Sequence, residues 1–264
     1  MSRSRVTKTE PCYLLIDGDM VAFRWVSAAF TEVHWDEKII SAYIDFEEVK
    51  TSFKDEIDNI IETVPKMAHV RHTHPIKPIL CFSDVKNFRK DILDTYKANR
   101  KSGRKPLGYW PLVDWVKEHF NCFSLPTLEA DDCVGILATT YPLTIAVSGD
   151  KDFKTIPGRF YNWLTGEYTK VTKEQADRFH LYQTLIGDIA DNYRGCPGIG
   201  PVTANKILDK DCSWEAVVKT FEDKGLTEQD ALVQARIARI LRSTEYDMET
   251  HTIKLWTPPK KKKN

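Results

Sequence analysis

The chain has 264 residues, 42 % hydrophobic and 29 % charged, and its 38 basic and 38 acidic side chains cancel to a net charge of zero. This balance excludes a disordered chain and fits one large folded domain or two small ones. No apolar run approaches the ~18 residues of a membrane helix, Leu14–Ile16 is too short for a secretory core, and the six cysteines form no Cys-x-x-Cys pair, so a cytoplasmic protein with ordinary thiols is expected.

In chain order, Tyr13–Ile16 reads as a buried strand that turns at Asp17-Gly-Asp19. Ala42, Tyr43, Phe46, Val49, Phe53, Ile57, Ile60, Ile61 and Val64 keep helical spacing, and Pro65 is expected to close that helix. His69, His72 and His74 read as an exposed loop rather than a metal cage. Pro78–Phe82 is a second strand ending at Ser83-Asp84, Pro111–Phe120 a helix and Asn121–Leu125 a third strand. Glu129–Asp132 opens a helix running to Tyr141, because acids are favoured in a first turn. Leu143–Val147 is a fourth strand ending at Gly149-Asp150, and Phe160–Leu164 a fifth.

Beyond residue 172 the strand signals stop. Thr172–Ile186, Pro201–Leu208, Ser213–Phe221 and Thr227–Leu241 read as helices, with Ser213 and Thr227 as N-caps. The expectation is an α/β fold with a mostly parallel central sheet flanked by helices over residues 1–172, followed by a helical region over 173–264.

Charge is segregated along the chain. The basic segment lies within residues 86–110: Lys86, Arg89, Lys90, Lys97, Arg100, Lys101, Arg104 and Lys105 stand against only Asp91 and Asp94. Those from Lys97 onward fall on one helical face, and Tyr96 beside them is a candidate for stacking on a terminal base. Lys260–Lys263 reads as a solvated basic tail.

The acids fall elsewhere. In open α/β sheets, sites lie beyond the carboxyl ends of the strands. Asp17, Asp84 and Asp150 each follow a predicted strand, Glu129, Asp131 and Asp132 open the helix after the third, and Asp152 lies two residues past Asp150. Asp188 and Asp191 add a pair at i and i+3, which share a face if helical. Without cations, these carboxylates would repel one another and their pKa values would rise. An all-oxygen set suits Mg²⁺ or Mn²⁺, and its size suits two ions about 3.5–4 Å apart, the arrangement used for displacement at phosphorus.

Gly195-Cys-Pro-Gly-Ile-Gly-Pro-Val-Thr-Ala204 has the pattern of a helix-hairpin-helix. Gly198 and Gly200 allow close backbone approach, and Pro201 starts a helix whose free amides face an anion. Such a hairpin grips a backbone phosphate without reading bases.

Taken together, Leu15–Asp19, Phe82–Asp84, Tyr96–Lys101, Glu129–Asp132, Gly149–Asp152, Gly187–Asn192 and the glycine hairpin resemble the 5′ nuclease superfamily of flap endonucleases and 5′→3′ exonucleases. The stretches Asp150–Pro157 and Ala238–Tyr246, with Tyr96–Lys101, look most like the replication exonucleases of podovirus-type bacteriophages.

The resemblance implies a PIN-like nuclease core. It places Asp84 and Asp131 on one metal with Asp17 and Glu129 helping, and Asp150 and Asp152 on a second with Asp132, Asp188 and Asp191 in support. Lys97 and Arg100 would contact the scissile phosphate, and Arg24 another phosphate. Lys101, Arg104 and Lys105 and the hairpin residues Gly198, Ile199, Gly200, Thr203 and Lys206 would hold DNA, the hairpin with a monovalent cation such as K⁺.

The implied substrates are duplex DNA with a 5′ end or flap and RNA–DNA hybrids, in primer removal and host DNA degradation within the host cytoplasm. A replication polymerase or single-strand binding protein is the candidate protein partner, and the chain is expected to be a monomer. The segment from Lys97 to Trp110 is short for an arch over a long flap, and Asp19 stands where the motif usually has a small polar residue. Two other classes stay open at this point. Asp17-Gly-Asp19 also fits a haloacid-dehalogenase phosphatase, and the hairpin alone fits a noncatalytic DNA-binding module.

Overall fold

The computed structural model describes residues 10–102 and 105–259, without the side chains of Lys101 and Ser102. Its elements in order are β1 (Cys12–Asp17), α1 (Gly18–Ala29), β2 (Thr31–His34), β3 (Ile40–Tyr43), α2 (Phe46–Met67), β4 (Ile76–Cys81), α3 (Arg89–Ile92), α4 (Tyr109–His119), β5 (Cys122–Phe123), α5 (Ala130–Thr140), β6 (Thr144–Ser148), β7 (Gly158–Asn162), β8 (Glu167–Val171), α6 (Lys173–Ile186), α7 (Pro201–Lys210), α8 (Trp214–Glu222), α9 (Glu228–Ala238), β9 (Tyr246–Asp247) and β10 (Thr252–Ile253). Short 3₁₀ turns cover Ala98–Ser102, Lys151–Thr155 and Ser243–Glu245.

Six strands form one sheet in the order β5-β4-β1-β6-β7-β8, parallel throughout except for the antiparallel edge strand β8. The α/β class expected from the alternating pattern is therefore the one found. Alternation along each strand builds a core on both faces. Cys12, Leu14, Ile16, Leu80, Phe82, Ile145 and Val147 meet Val21, Val26, Phe53, Ile57 and Leu112 from α1, α2 and α4. Leu15, Ile79, Cys81 and Ala146 meet Cys133, Val134 and Leu137 of α5 on the other face.

The chain winds outward from β1 through β4 to β5 and then returns to the opposite side of β1 as β6. The crevice of this doubly wound sheet thus opens between the carboxyl ends of β1 and β6, the place where such folds put ligands.

The helical region has its own core, in which Leu185, Ala204, Leu208, Trp214, Val217, Phe221 and Ala235 are buried together. Thr172, Ser213 and Thr227 cap α6, α8 and α9 through their hydroxyls. The division near residue 172 is not clean, because Ile240, Leu241 and Tyr246 return to pack on α5. Gly135 makes room for them, since a Cβ there would strike the Leu241 carbonyl.

Several expectations need correction. Ala42 and Tyr43 lie in the β2–β3 hairpin, not in α2. Every residue of β2 and β3 is exposed, so no alternation of burial marked them in the sequence. Pro65 sits inside α2 near its end, where its missing N–H forfeits a single helical bond. Thr227–Leu241 stops being helical after Ala238. The β9–β10 pair supplies strand beyond residue 172. Asp188 and Asp191 lie in a turn closed by an Asp188–Tyr193 bridge, not on a helix. From Lys97 onward the described part of the basic segment forms a 3₁₀ turn over Ala98–Ser102 and not the continuous helical face expected.

Candidate active site and nucleic-acid grip

Asp17 ends β1 and caps α1. One carboxylate oxygen accepts the Met20 amide at 3.0 Å and the other accepts the Ser148 hydroxyl at 3.0 Å, which ties the end of β1 to the end of β6. Asp131 opens α5, while Asp150 and Asp152 lie in the turn after β6.

Burial, and then neighbouring carboxylates, raise the pKa values of these four acids. Burial, then Asp19, pushes Asp17 up to about 7. Burial, then Asp150, pushes Asp152 to about 7. Asp131 is driven well up by burial and by Asp17, and Asp150 is raised by burial and by Asp191 and Asp188. One carboxylate oxygen of Asp152 is buried without any hydrogen-bond partner. A cleft holding more carboxylate than local cation, with an orphaned oxygen inside it, is chemically suited to divalent cations. As they stand, no three His, Cys or acidic side chains among the described residues close around one ion. Mg²⁺ tolerates such a site, since it keeps several waters and takes only one or two carboxylates.

Asp84 flanks this cleft. The Thr127 amide, 2.7 Å from one of its oxygens, holds its pKa low. Thr127 and Lys97 both have left-handed backbones, with φ of 63° and 53°. Such conformations are costly for residues with a side chain and concentrate at functional sites.

Asp132, one residue past Asp131, is built differently. It is fully buried, and its oxygens accept both terminal nitrogens of Arg89 at 2.7 and 2.8 Å, the Leu241 amide at 3.0 Å and the Glu129 amide at 3.3 Å. With its lone pairs so used, it is not free to face a metal, which corrects its assignment to the ligand set. Arg89, although part of the basic segment, is 3 % exposed and also donates to the Ile237 and Arg239 carbonyls. A buried arginine opposite a fully buried acid has no sequence signature, because the pair is 43 residues apart.

Glu129 and the basic segment form the far wall. Burial would raise Glu129, but Lys97 and Arg89 outweigh it and hold the carboxyl near 2. Lys97 pairs with Glu129 and lies 3.6 Å from Asp191. Arg100 pairs with Asp191 at 2.6 Å and is more than half exposed. Asp191 is thus joined to both cations, while Asp188 in the same turn lies 3.5 Å from Lys151. Gly187 and Gly195 close that turn; both have positive φ, and a Cβ on either would collide with the other's backbone segment.

Tyr96 is corrected as well. It is 3 % exposed, and its hydroxyl lies 2.9 Å from Glu129 and 3.1 Å from Asp191, so it is a buried brace rather than a stacking platform. Asp19 is also a brace, accepting the Tyr109 hydroxyl and the Ser83 amide, each at 3.0 Å. Lys105 sits 4.0 Å from the Tyr109 ring centre. Arg104 and the side chain of Lys101 lie outside the described residues. Arg24 is exposed on α1 with its guanidinium 5.2 Å from the Trp163 ring centre.

At the hairpin, Gly198 has φ of 75° and Gly200 caps α7, with Pro201 in its first turn. The space before Gly200 is open, and Thr203 and Lys206 are exposed on α7. Lys224, which carried no signal in the sequence, brings its ammonium beside Gly198.

The family model "5′-3′ exonuclease, N-terminal resolvase-like domain" matches residues 12–179. The chain is 34 % identical to an exodeoxyribonuclease of Enterobacteria phage T3, over 93 % of this chain and 92 % of that protein. It is 32 % identical to an exonuclease of Escherichia phage T7, over 93 % of each. Among solved structures, the phage T5 flap endonuclease in a pseudo-enzyme–product complex with DNA and metal ions shares the fold, with a TM-score of 0.64 at 18 % identity over 88 % of this chain and 89 % of that one. With its carboxylates gathered at the β1–β6 crevice and its family model spanning most of the α/β half, the chain belongs to the 5′→3′ exonuclease family and is a nuclease related to those of the T3 and T7 phages.

Proposed function

We propose that the chain hydrolyses phosphodiesters at 5′ ends and 5′ flaps of duplex DNA and of RNA–DNA hybrids, with divalent cations, in phage primer removal and host DNA breakdown. The observation that carries the metal dependence is the excess of raised carboxyls around the crevice, with an Asp152 oxygen left unpartnered. Asp17, Asp84, Asp131, Asp150 and Asp152 are the residues proposed to hold Mg²⁺ or Mn²⁺, with Asp188 and Asp191 beside them. Bound there, such ions supply an activated water and charge stabilisation for the leaving oxygen.

Lys97 and Arg100 act on the phosphate from the opposite wall. Both are held by carboxylates in the free protein, and transfer of these cations to a phosphate would neutralise charge as it grows. Glu129 and Asp191 keep Lys97 protonated, and Asp191 holds Arg100 in place. The Gly195–Ala204 hairpin, with Lys206 and Lys224, is proposed to hold one duplex strand through backbone phosphates. Residues 1–172 would carry the chemistry and 173–264 the duplex grip; the expected K⁺ at the hairpin, recruitment by a polymerase or single-strand binding protein, and a monomeric state rest on the resemblance alone.

The test compares a 5′-labelled blunt duplex and a 5′-flapped duplex, each with Mg²⁺ and with EDTA. Mononucleotides from the blunt end that vanish in EDTA are the expected result. A single longer product from the flap, with the blunt end spared, would make flap cleavage the main activity. No Mg²⁺-dependent cleavage of either would refute the reading.

A further inference from the structure

We propose that a cavity beside Lys97 receives the 5′-terminal nucleotide of a blunt end, the part of the strand released by a cut there, and so limits the product from such an end to about one nucleotide. This rests on the nuclease reading above and adds a binding subsite to it.

The cavity has a volume of about 300 Å³ and is lined by Asp84, Val85, Asn87 and Lys90 together with Lys97, Arg100 and Glu129. Small-molecule sites begin near about 300 Å³, so the space suits one nucleotide and not an oligonucleotide. Its position fits an end rather than a duplex. Lys97 donates its amide to the Asp191 carbonyl at 2.9 Å, and Arg100 pairs with the same residue. The Lys97–Arg100 segment therefore separates the cavity from the 188–193 turn, which leads directly into the hairpin. A strand gripped at the hairpin and cut beneath Lys97 and Arg100 would place its last nucleotide in the cavity.

The wall residues have the chemistry for that occupant. Lys90 is exposed and has no carboxylate partner among the described residues. Val85 is 85 % exposed at the mouth, an uncovered apolar shelf for one face of a base. The carbonyl oxygen of the Asn87 side chain accepts the Arg89 amide at 2.9 Å, which fixes its orientation; its NH₂ has no partner among the described residues and is free to donate to a sugar or base oxygen. Hydrolysis breaks the P–O3′ bond, so the released nucleotide carries a 3′-hydroxyl and the remaining strand keeps the phosphate. Lys90 would then hold the 5′-phosphate of the leaving unit, where it has one.

The experiment uses the full chain, a 5′-labelled blunt duplex, Mg²⁺, and deoxyadenosine 5′-monophosphate as the probe. The wild type is expected to release mononucleotides first and to be inhibited competitively by the probe. Lys90→Ala should raise the inhibition constant about tenfold, and Val85→Asp should do the same. Both should add di- and trinucleotides to the first products, with unchanged thermal melts. Unchanged inhibition and the wild-type product pattern in both variants would overturn the subsite while leaving the nuclease intact. Absence of Mg²⁺-dependent cleavage in the wild type would instead overturn the nuclease reading.

Discussion

Two acidic regions meet at the start of α5 and are built on opposite principles. Asp132 is fully buried, yet Arg89 and two backbone amides answer its charge within the protein. Asp131, its neighbour, faces Asp17 and Asp150 across the crevice, and with Asp152 these carboxyls have raised pKa values. The difference shows that burial alone does not make an acid functional. A carboxylate matched inside the fold stabilises the fold, whereas a cluster left unmatched is available to a cation from outside.

The largest expected effect comes from emptying the unmatched region. Asp150→Ala removes several kcal/mol of charge stabilisation, so cleavage should fall by about a thousandfold or more. DNA binding by a gel-shift measurement should persist. Full activity in this variant would erase the distinction between the two regions.

The matched region should fail in stability first. Arg89→Met leaves Asp132 buried and unpaired, at a cost of about 3–5 kcal/mol, or a melting point lower by about 10 °C. Adding Asp132→Leu should restore much of that loss, because a buried pair replaced by apolar groups is often neutral. A double variant as unstable as the single one would show that Arg89 acts mainly through Glu129 and the Ile237 and Arg239 carbonyls.

The smallest effect sharpens the contrast through pH. Asp17 and Asp152 titrate near 7 in the metal-free protein, above an unfolded carboxyl near 4. The folded state holds more protons than the unfolded state in that window, so these two groups make the metal-free protein less stable as pH rises from about 4 to about 7. Mg²⁺ competes with those protons and should therefore raise the melting point more at pH 8 than at pH 5.5. Thermal melts with and without Mg²⁺ at both values test this. An equal shift at both would mean that the cation binds elsewhere. Glu129, held near 2, has the opposite sign: its contribution is present above about pH 4.5 and is lost as pH falls towards 2.

Sequence alone determined the α/β order, the helical region and the location of most acids, because strand–helix alternation and strand-end position are local patterns. Asp17, Asp84, Asp131 and Asp150 needed nothing beyond their place after an apolar run or at a helix start. The glycine hairpin was legible for the same reason, since its turn is specified within ten residues. Only the tertiary structure separated Asp132 from Asp131, turned Tyr96 and Asp19 into braces, and set Arg89 apart from the rest of the basic segment in the interior. Each of those outcomes depends on partners 33 to 150 residues away. Charge compensation is a property of what surrounds a group in space, and a linear pattern of like residues carries no record of it.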